Sequence, residues 1–292
     1  MEMWYYPGCT LKTKAESFDI AARSAMQALD ISLRELPRWN CCGATFSLSE
    51  DDLIHQVAPV RNLVRAAEQG AQKLVTLCSF CYNTLKRANN MILADPEKKD
   101  TLNRFMDEEP DYGGEVETVH LLEVLRDDVG WEKIKQKVVR PLSGIAVAPY
   151  YGCTLVRPRD VAIDDVEQPV VMHRLLEALG AEVIDFPYAN ECCSSYQLVN
   201  APDAGLECAW NILSSAARQG AEVLALACPL CEYNLGLKQP EIIQQHNDFK
   251  PLPVLYFTQL LALALHGKEG GIDDSLGLAE HSSFLKIKGL ID

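Results

Sequence analysis

Short apolar runs alternate with amphipathic stretches along most of this chain. The apolar runs have the length of buried strands, and we predict strands at residues 3–6, 31–36, 73–77, 145–150, 182–186 and 222–227. Between them, apolar residues recur at helical spacing, as in the stretches 18–29 and 206–213. Alternating strands and helices predict an α/β fold, in which helices flank a parallel sheet.

The sequence repeats itself once. Ten of the eleven cysteines fall into two sets, and each set reads as a single Cys, a Cys-Cys pair and a Cys-x-x-Cys: Cys9, Cys41, Cys42, Cys78 and Cys81, then Cys153, Cys192, Cys193, Cys228 and Cys231. Neighbouring residues repeat as well, since the Gln-Gly-Ala of residues 69–71 returns at 219–221. Such an internal repeat predicts two similar structural units.

The repeat and the length of 292 residues predict two domains. We place the boundary in the polar stretch before Pro141, so that residues 1–140 form the first cysteine-rich repeat. Residues 141–292 form the second repeat with a C-terminal tail. Each repeat is expected to be a small parallel sheet flanked by helices, and duplication suggests that the two are related by pseudo-twofold symmetry.

The charge balance excludes two classes of partner. Forty-one acidic residues against twenty-seven basic ones give a formal net charge of −14, which repels nucleic acid phosphates and anionic membrane surfaces. No apolar run reaches the length of a membrane span, and the first residues lack the layout of a signal peptide. We therefore expect a cytoplasmic protein that binds neither nucleic acid nor membrane.

Cysteine-rich proteins of a reducing cytoplasm bind metals more often than they form disulfides. A Cys-x-x-Cys alone would suit zinc, an iron-sulfur cluster or a redox dithiol. Five thiolates exceed the four of a tetrahedral zinc site, and two adjacent cysteines cannot easily bind one small ion without strain. A multinuclear iron-sulfur cluster in each half solves both problems, while zinc in one half remains the alternative.

The predicted strands bring these cysteines together. All ten follow strand candidates, at the carboxyl ends where open α/β sheets place their ligands. Helices predicted to begin after Cys81 and Cys231 would direct backbone N–H groups at the same place, which favours an anionic cluster. Cys208 lies outside the pattern in a predicted helix, where a small buried side chain explains it. None of the six histidines matches across the repeat.

The two sets of cysteines resemble the duplicated cysteine-rich CCG domain found in the B-type subunits of heterodisulfide reductases. The resemblance rests on the spacing of both sets and covers nearly the whole chain up to about residue 267. Two departures are visible: Ser194 stands where the motif has Gly, and Gly43-Ala44-Thr45 replaces a proline-containing stretch. The second site is therefore expected to differ slightly in construction, and the disulfide to differ from the methanogenic one.

The resemblance implies a function, a cofactor and partners. Similar proteins carry two noncubane 4Fe-4S clusters, each held by one set of five cysteines, which would make all ten both metal ligands and catalytic residues. They reduce the mixed disulfide of coenzyme M and coenzyme B, or related bacterial disulfides, to two thiols. They work in a complex with a flavin-containing protein and a small ferredoxin-like protein, its A-type and C-type subunits, which supply the electrons.

Two other functions stay open. The chain would instead be a non-catalytic electron carrier if a separate protein of the complex held the substrate. It would be a simple thiol-disulfide exchanger if Cys78-Cys81 or Cys228-Cys231 acted as a free dithiol, although the other cysteines would then have no purpose. For the leading hypothesis we expect a small disulfide to bind between the two motifs, because its cleavage takes two electrons and the chain offers two similar sites.

Overall fold

The computed structural model describes residues 1–44, 53–266 and 276–291. The strands are β1 (Glu2–Tyr6), β2 (Ser32–Glu35), β3 (Lys73–Thr76), β4 (Glu117–His120), β5 (Ala146–Tyr150), β6 (Glu182–Val183), β7 (Val223–Leu226) and β8 (Val254–Tyr256). The α-helices are α1 (Glu16–Ala28), α2 (Val57–Glu68), α3 (Ser79–Ala94), α4 (Pro96–Phe105), α5 (Leu121–Glu123), α6 (Trp131–Lys137), α7 (Val171–Ala178), α8 (Pro202–Arg218), α9 (Pro229–Glu232), α10 (Gln239–Gln245), α11 (Phe257–His266) and α12 (Ser282–Ile287).

Two four-stranded parallel sheets form the centre of the molecule. Their strand orders are β2-β1-β3-β4 and β6-β5-β7-β8, so the second sheet repeats the topology of the first. In both sheets the order in which strands are added reverses between two neighbouring central strands, β1 and β3 in the first sheet and β5 and β7 in the second. Such a switch point is where open α/β sheets bind ligands. The predicted class, two tandem α/β repeats with parallel sheets and flanking helices, is confirmed.

The strands are parallel and largely apolar because helices cover both faces of each sheet. All five residues of β5 are buried, as are all four of β7. The amphipathic helix α1 buries Phe18, Ala22 and Met26 on one side, in agreement with the periodicity of its sequence.

Helices of each half pack on the other half in a reciprocal manner. Helix α11 follows β8 of the second sheet but packs along α1 of the first half, where Phe257 meets Phe18 edge to face. Conversely, α5 follows β4 of the first sheet and contacts α7 of the second half. A pseudo-twofold axis between the sheets generates such an exchange, and it joins the halves into one core.

The strand predictions were partly right. Six strands lie where the apolar runs predicted them, but the candidate at residues 182–186 shrinks to the two-residue β6. The apolar runs did not reveal β4 and β8, which run directly into α5 and α11 and therefore read as parts of longer helical segments.

The predicted boundary at residue 140 falls between α6 and β5. It stays a prediction, because α6 belongs to the first half by sequence yet packs on α7 of the second. Among the described residues, no helix is both long and apolar enough to cross a membrane.

Candidate metal centres

The cysteines of the first half meet at the carboxyl ends of three neighbouring strands. Cys9 lies just after β1, the pair Cys41-Cys42 follows β2, and Cys78 follows β3. Because these strands are parallel, their ends share one edge of the sheet, and Cys81 reaches the same edge from the first turn of α3. Residues separated by up to 72 positions in the chain therefore form one group of thiols.

Close contacts join the thiols of the first half. The sulfur atoms of Cys9 and Cys41 are 3.6 Å apart, and those of Cys42 and Cys81 are 3.5 Å apart. The Cys78 thiol lies close enough to the Cys81 thiol for each to shift the pKa of the other. We call these five residues the first site.

The second half reproduces this arrangement, and we call its five cysteines the second site. The sulfur atoms of Cys193 and Cys231 are 3.5 Å apart, which equals the distance between their counterparts in the first site. Cys153 and Cys192 lie close enough to shift each other's pKa, as do Cys228 and Cys231. The sequence repeat thus corresponds to a repeat in the contacts of the sulfur atoms.

The two sites touch each other. Cys78 of the first site and Cys228 of the second lie close enough for each thiol to shift the pKa of the other. Beside them, Ser79 donates from its hydroxyl to the carbonyl of Ala227 at 2.9 Å, and all four side chains are buried. The two Cys-x-x-Cys segments therefore meet across the boundary between the halves, which the sequence did not predict.

The start of both α3 and α9 differs from the prediction. The helices were expected to begin after Cys81 and Cys231, but they begin at Ser79 and Pro229, with Cys78 and Cys228 as the N-caps. The prediction was wrong by about one turn, because a Cys-x-x-Cys segment can itself form the first turn of a helix. The free N–H groups of that turn consequently lie among the thiols.

Electrostatics favours the thiolate form at Cys41 of the first Cys-Cys pair and at both cysteines of the second, where contact with Cys231 lowers the pKa of Cys193. Contact with the Cys42 thiol is the largest cause that lowers the pKa of Cys41, to about 5. Contact with Cys153 lowers the pKa of Cys192 to about 6, and the backbone N–H of Ser194 adds to this effect. Thiolates are the form that binds metals, so both pairs present a ready ligand.

At the junction, the direction of the pKa shift differs between the two sites. Contact with Cys228, then with Cys81, holds the pKa of the Cys78 thiol well below its usual range, and backbone N–H groups of α3 contribute. Burial raises the pKa of Cys228 itself well above that range. Of this contact pair, Cys78 is therefore the anionic partner.

Two tyrosines fix the Cys-Cys pairs. Tyr6, at the end of β1, donates to the carbonyl of Asn40 at 2.8 Å, directly before the first pair. Tyr150, at the end of β5, donates to the carbonyl of Glu191 at 2.7 Å, directly before the second pair. Asn62 donates a further hydrogen bond to Asn40 at 3.0 Å.

Two glycines permit the close packing of these sites. Gly8 adopts a φ of +75°, and a Cβ atom there would lie 2.8 Å from the Cys81 sulfur. Gly152 adopts a φ of +65°, and its Cβ would lie 3.5 Å from the Cys231 sulfur. Only glycine combines this backbone conformation with the absence of a side chain, so the first site in particular requires it.

Ser194 departs from the Gly of the motif without changing the backbone. It adopts a φ of 58°, in the same left-handed region as Gly43 at 75° in the first half. Its hydroxyl donates to the Cys208 sulfur at 3.5 Å. Cys208, the cysteine outside the repeat, therefore lies directly behind the loop that carries the second Cys-Cys pair.

A cavity of about 880 Å³ opens beside the second site. Cys153 and Cys192 form part of its wall, and Phe80 and Arg87 of the first half face them. Thr154, Arg157, Tyr196 and Gln197 supply further polar groups to the lining. Both halves thus contribute to one cavity that exposes thiols of the second site.

Within the described ranges, no three His, Cys, Asp or Glu side chains are arranged as ligands of one metal ion. The thiols lie instead in pairs that are distributed around each site. The donor set still fits a multinuclear group, because it consists of soft thiols with several anionic members and a glycine that keeps the centre open.

The fold and the paired thiol sites define a class of protein, the cysteine-rich domain proteins. The chain belongs to this family: the model of the cysteine-rich domain, CCG, matches residues 3–86 and 147–236. These two matches coincide with the two halves that carry the sites.

Known relatives extend over nearly the whole chain. It is 33% identical, over 94% of its length and 96% of the relative's, to the membrane anchor protein of the 8-methylmenaquinol:fumarate reductase of Wolinella succinogenes. It is 29% identical, over 94% of its length and 91% of the relative's, to the B-type subunit of the ferredoxin:CoB-CoM heterodisulfide reductase of Methanosarcina mazei. The resemblance to the B-type subunits of heterodisulfide reductases is thereby confirmed.

A solved structure with the same fold comes from Helicobacter pylori. A hypothetical protein from Helicobacter pylori superposes with a TM-score of 0.74 at 15% sequence identity and covers 94% of this chain. This chain spans 51% of that protein's length.

Proposed function

We propose that this chain is the iron-sulfur protein of a heterodisulfide reductase-like complex and that it reduces a small disulfide to two thiols. The observation that carries the proposal is the repeated group of five thiols, whose two copies meet at Cys78 and Cys228. Relatives named as B-type subunits of heterodisulfide reductases support it.

Each site would hold one 4Fe-4S cluster of the noncubane type. Cys9, Cys41, Cys42, Cys78 and Cys81 are the ligands proposed in the first site, and Cys153, Cys192, Cys193, Cys228 and Cys231 in the second. Bound clusters supply one-electron transfer and iron atoms that accept thiolate sulfur. The chain's own residues bury the inner ligands Cys42, Cys78 and Cys81 and leave Cys9 and Cys41 exposed.

The proposed substrate position is the cavity beside the second site. Its wall comes from both halves, as expected for a substrate that binds between the two motifs. Arg87 and Arg157 place two positive charges on the wall, which favours a substrate with an anionic substituent. Phe80 lies between the two cysteines of the first Cys-x-x-Cys and supplies an apolar surface against which a thioether or alkyl chain can pack.

Electrons must come from partner proteins, because the sequence carries no flavin or nucleotide fingerprint. We propose a flavin-containing protein of the A type and a ferredoxin-like protein of the C type for this task. The exposed thiols of Cys9 and Cys41 offer the shortest entry for electrons into the first site. The complex is proposed to work in the cytoplasm.

A second candidate function is a non-catalytic electron carrier. It is favoured by the relative from Wolinella succinogenes, whose name refers to fumarate reduction and membrane anchoring. In such a complex another protein would bind the substrate, and the clusters would pass electrons to it.

One experiment separates the two functions. The anaerobically purified chain, with clusters reduced by dithionite and without partner proteins, is mixed with small disulfides that carry sulfonate, phosphate or carboxylate groups. Dithionite is removed before mixing, and thiol release is followed together with cluster oxidation. Two thiols released for every two electrons lost would support the reductase. Clusters that remain reduced with every disulfide would instead favour the carrier.

A further inference from the structure

Tyr256 places a phenol hydroxyl beside the junction of the two sites. It is the last residue of β8 and pairs in register with Leu226 of β7. Leu226 stands two residues before Cys228, so the Tyr256 ring lies at the carboxyl end of the sheet next to the second Cys-x-x-Cys. No sequence motif draws attention to this position.

The ring of Tyr256 is held firmly by both halves of the molecule. It stacks on Phe18 of α1 with ring centroids 4.1 Å apart and planes only 4° from parallel. Its backbone N–H donates to the side-chain oxygen of Gln259 at 2.8 Å. Only 3% of the residue is exposed. The hydroxyl position is therefore fixed by packing and not by a hydrogen bond of its own.

The Tyr256 hydroxyl has no hydrogen-bond partner among the described residues. Leaving a buried hydroxyl unpaired forfeits its hydrogen bonds to water, so native proteins rarely keep one without a reason. Burial is the main cause that raises its pKa well above the usual value, and the negative forms of Glu232, Cys228, Cys78 and Cys231 add to the rise. The hydroxyl keeps its proton and is available as a donor close to these thiols.

The first half has no equivalent donor at the matching position. His120 ends β4 and pairs with Thr76 of β3, as Tyr256 pairs with Leu226. Both of its ring nitrogens are occupied: Nε2 contacts the Leu77 carbonyl at 2.7 Å, and Nδ1 accepts from the N–H of Leu122 at 3.2 Å. The two halves therefore differ at this position, which lies next to both sites: the second half has a free hydroxyl donor there and the first has none.

We infer that Tyr256 donates a hydrogen bond to a sulfur atom of the cluster in the second site, either the Cys228 thiolate or a cluster sulfide, and thereby raises the reduction potential of that cluster. The inference rests on the proposed clusters. A hydrogen bond to sulfur withdraws negative charge and stabilises the reduced state more than the oxidised one. The second cluster, beside the cavity, is consequently the better electron acceptor, and electrons that enter at the first site move toward the substrate.

The test removes only the hydroxyl and reads one cluster at a time. Tyr256→Phe is introduced into two backgrounds, Cys81→Ala, in which the first cluster is lost, and Cys231→Ala, in which the second is lost. Each protein is titrated anaerobically with a one-electron reductant, and the remaining cluster is followed by electron paramagnetic resonance. In the Cys81→Ala background, we expect Tyr256→Phe to lower the ratio of reduced to oxidised second cluster about tenfold at a fixed potential. This corresponds to a reduction potential lower by about 59 mV for one electron. The first cluster should not change.

Tyr112→Phe is the matched control, because it also removes a buried tyrosine hydroxyl, one that is bonded to Asn89 at 2.6 Å and lies away from the cysteines. It should shift neither potential. Exchange into deuterated water adds a second readout. In the wild-type protein it should remove the signal of an exchangeable proton coupled to the second cluster, and Tyr256→Phe should lack that signal from the start.

Two results would overturn the inference. Unchanged potentials with full iron content in Tyr256→Phe would show that the hydroxyl does not reach the cluster or donates to Glu232 instead. Loss of iron in Tyr256→Phe, with iron retained in Tyr112→Phe, would show that the residue only supports the structure of the site. A wild-type chain without iron would instead refute the proposed function, and the two failures are therefore distinguishable.

Discussion

Replacing Gly8 by Ala tests how closely the first site is packed. A Cβ atom at this position would lie 2.8 Å from the Cys81 sulfur, whereas comfortable contacts of this kind are about 3.5–4.0 Å. The left-handed backbone adds about 1–2 kcal/mol for any residue with a side chain. Overpacking against a buried sulfur adds about 1–3 kcal/mol more. We expect Cys81 to be displaced and the first site to lose its iron.

Two other glycines serve as controls for this substitution. Gly70 has a φ of +72° with no atom within 4 Å of its added Cβ, so Gly70→Ala carries the backbone strain alone. Gly152 has a φ of +65° and its nearest contacts are 3.4 and 3.5 Å, so Gly152→Ala should add little beyond this strain.

The assay combines the iron content per chain with the midpoint of urea unfolding. We expect Gly8→Ala to lose more stability than Gly152→Ala, and Gly70→Ala to lose about as much as Gly152→Ala. The iron content should fall to about half only in Gly8→Ala. A Gly8→Ala protein that retains all its iron and is no less stable than Gly70→Ala would refute the packing argument.

Three further substitutions probe the sites. Cys208→Ser should leave the iron content unchanged, while Cys193→Ser should lower it. Iron loss in Cys208→Ser would mean that Cys208, the cysteine outside the repeat, is a ligand after all. Tyr150→Phe should lose iron from the second site faster under chelator than the wild-type chain does, because it removes the hydrogen bond to the Glu191 carbonyl directly before the second Cys-Cys pair; an unchanged rate would contradict this. Ser79→Ala should lower the free energy of unfolding by about 1 kcal/mol in urea titrations, since it removes a buried hydrogen bond between the halves. No change would mean that this contact is not maintained in solution.

Much of the fold follows from local sequence patterns. Apolar runs of strand length and the repeated cysteines predict two parallel sheets, and the ligand positions follow because parallel strands end at one edge. The missed strands β4 and β8 are only four and three residues long. Each continues directly into a helix, so its apolar residues cannot be separated from the helical pattern by periodicity.

The sequence alone could not predict how the two sites contact each other. The contact of Cys78 with Cys228 and the placement of Tyr256 depend on how the halves pack, and no local spacing encodes that packing. The sequence also does not show that α5 and α11 each pack on the other half of the molecule, because both follow strands of their own half.

Iron and acid-labile sulfide analysis of the anaerobically purified chain tests the central claim most directly. Two sites with four irons each predict about eight iron atoms and a similar amount of sulfide per chain, with a brown colour that bleaches in air. About four iron atoms and one zinc per chain would contradict the claim for one half. Stoichiometric zinc with little iron, or a colourless chain with full disulfide activity, would contradict it altogether.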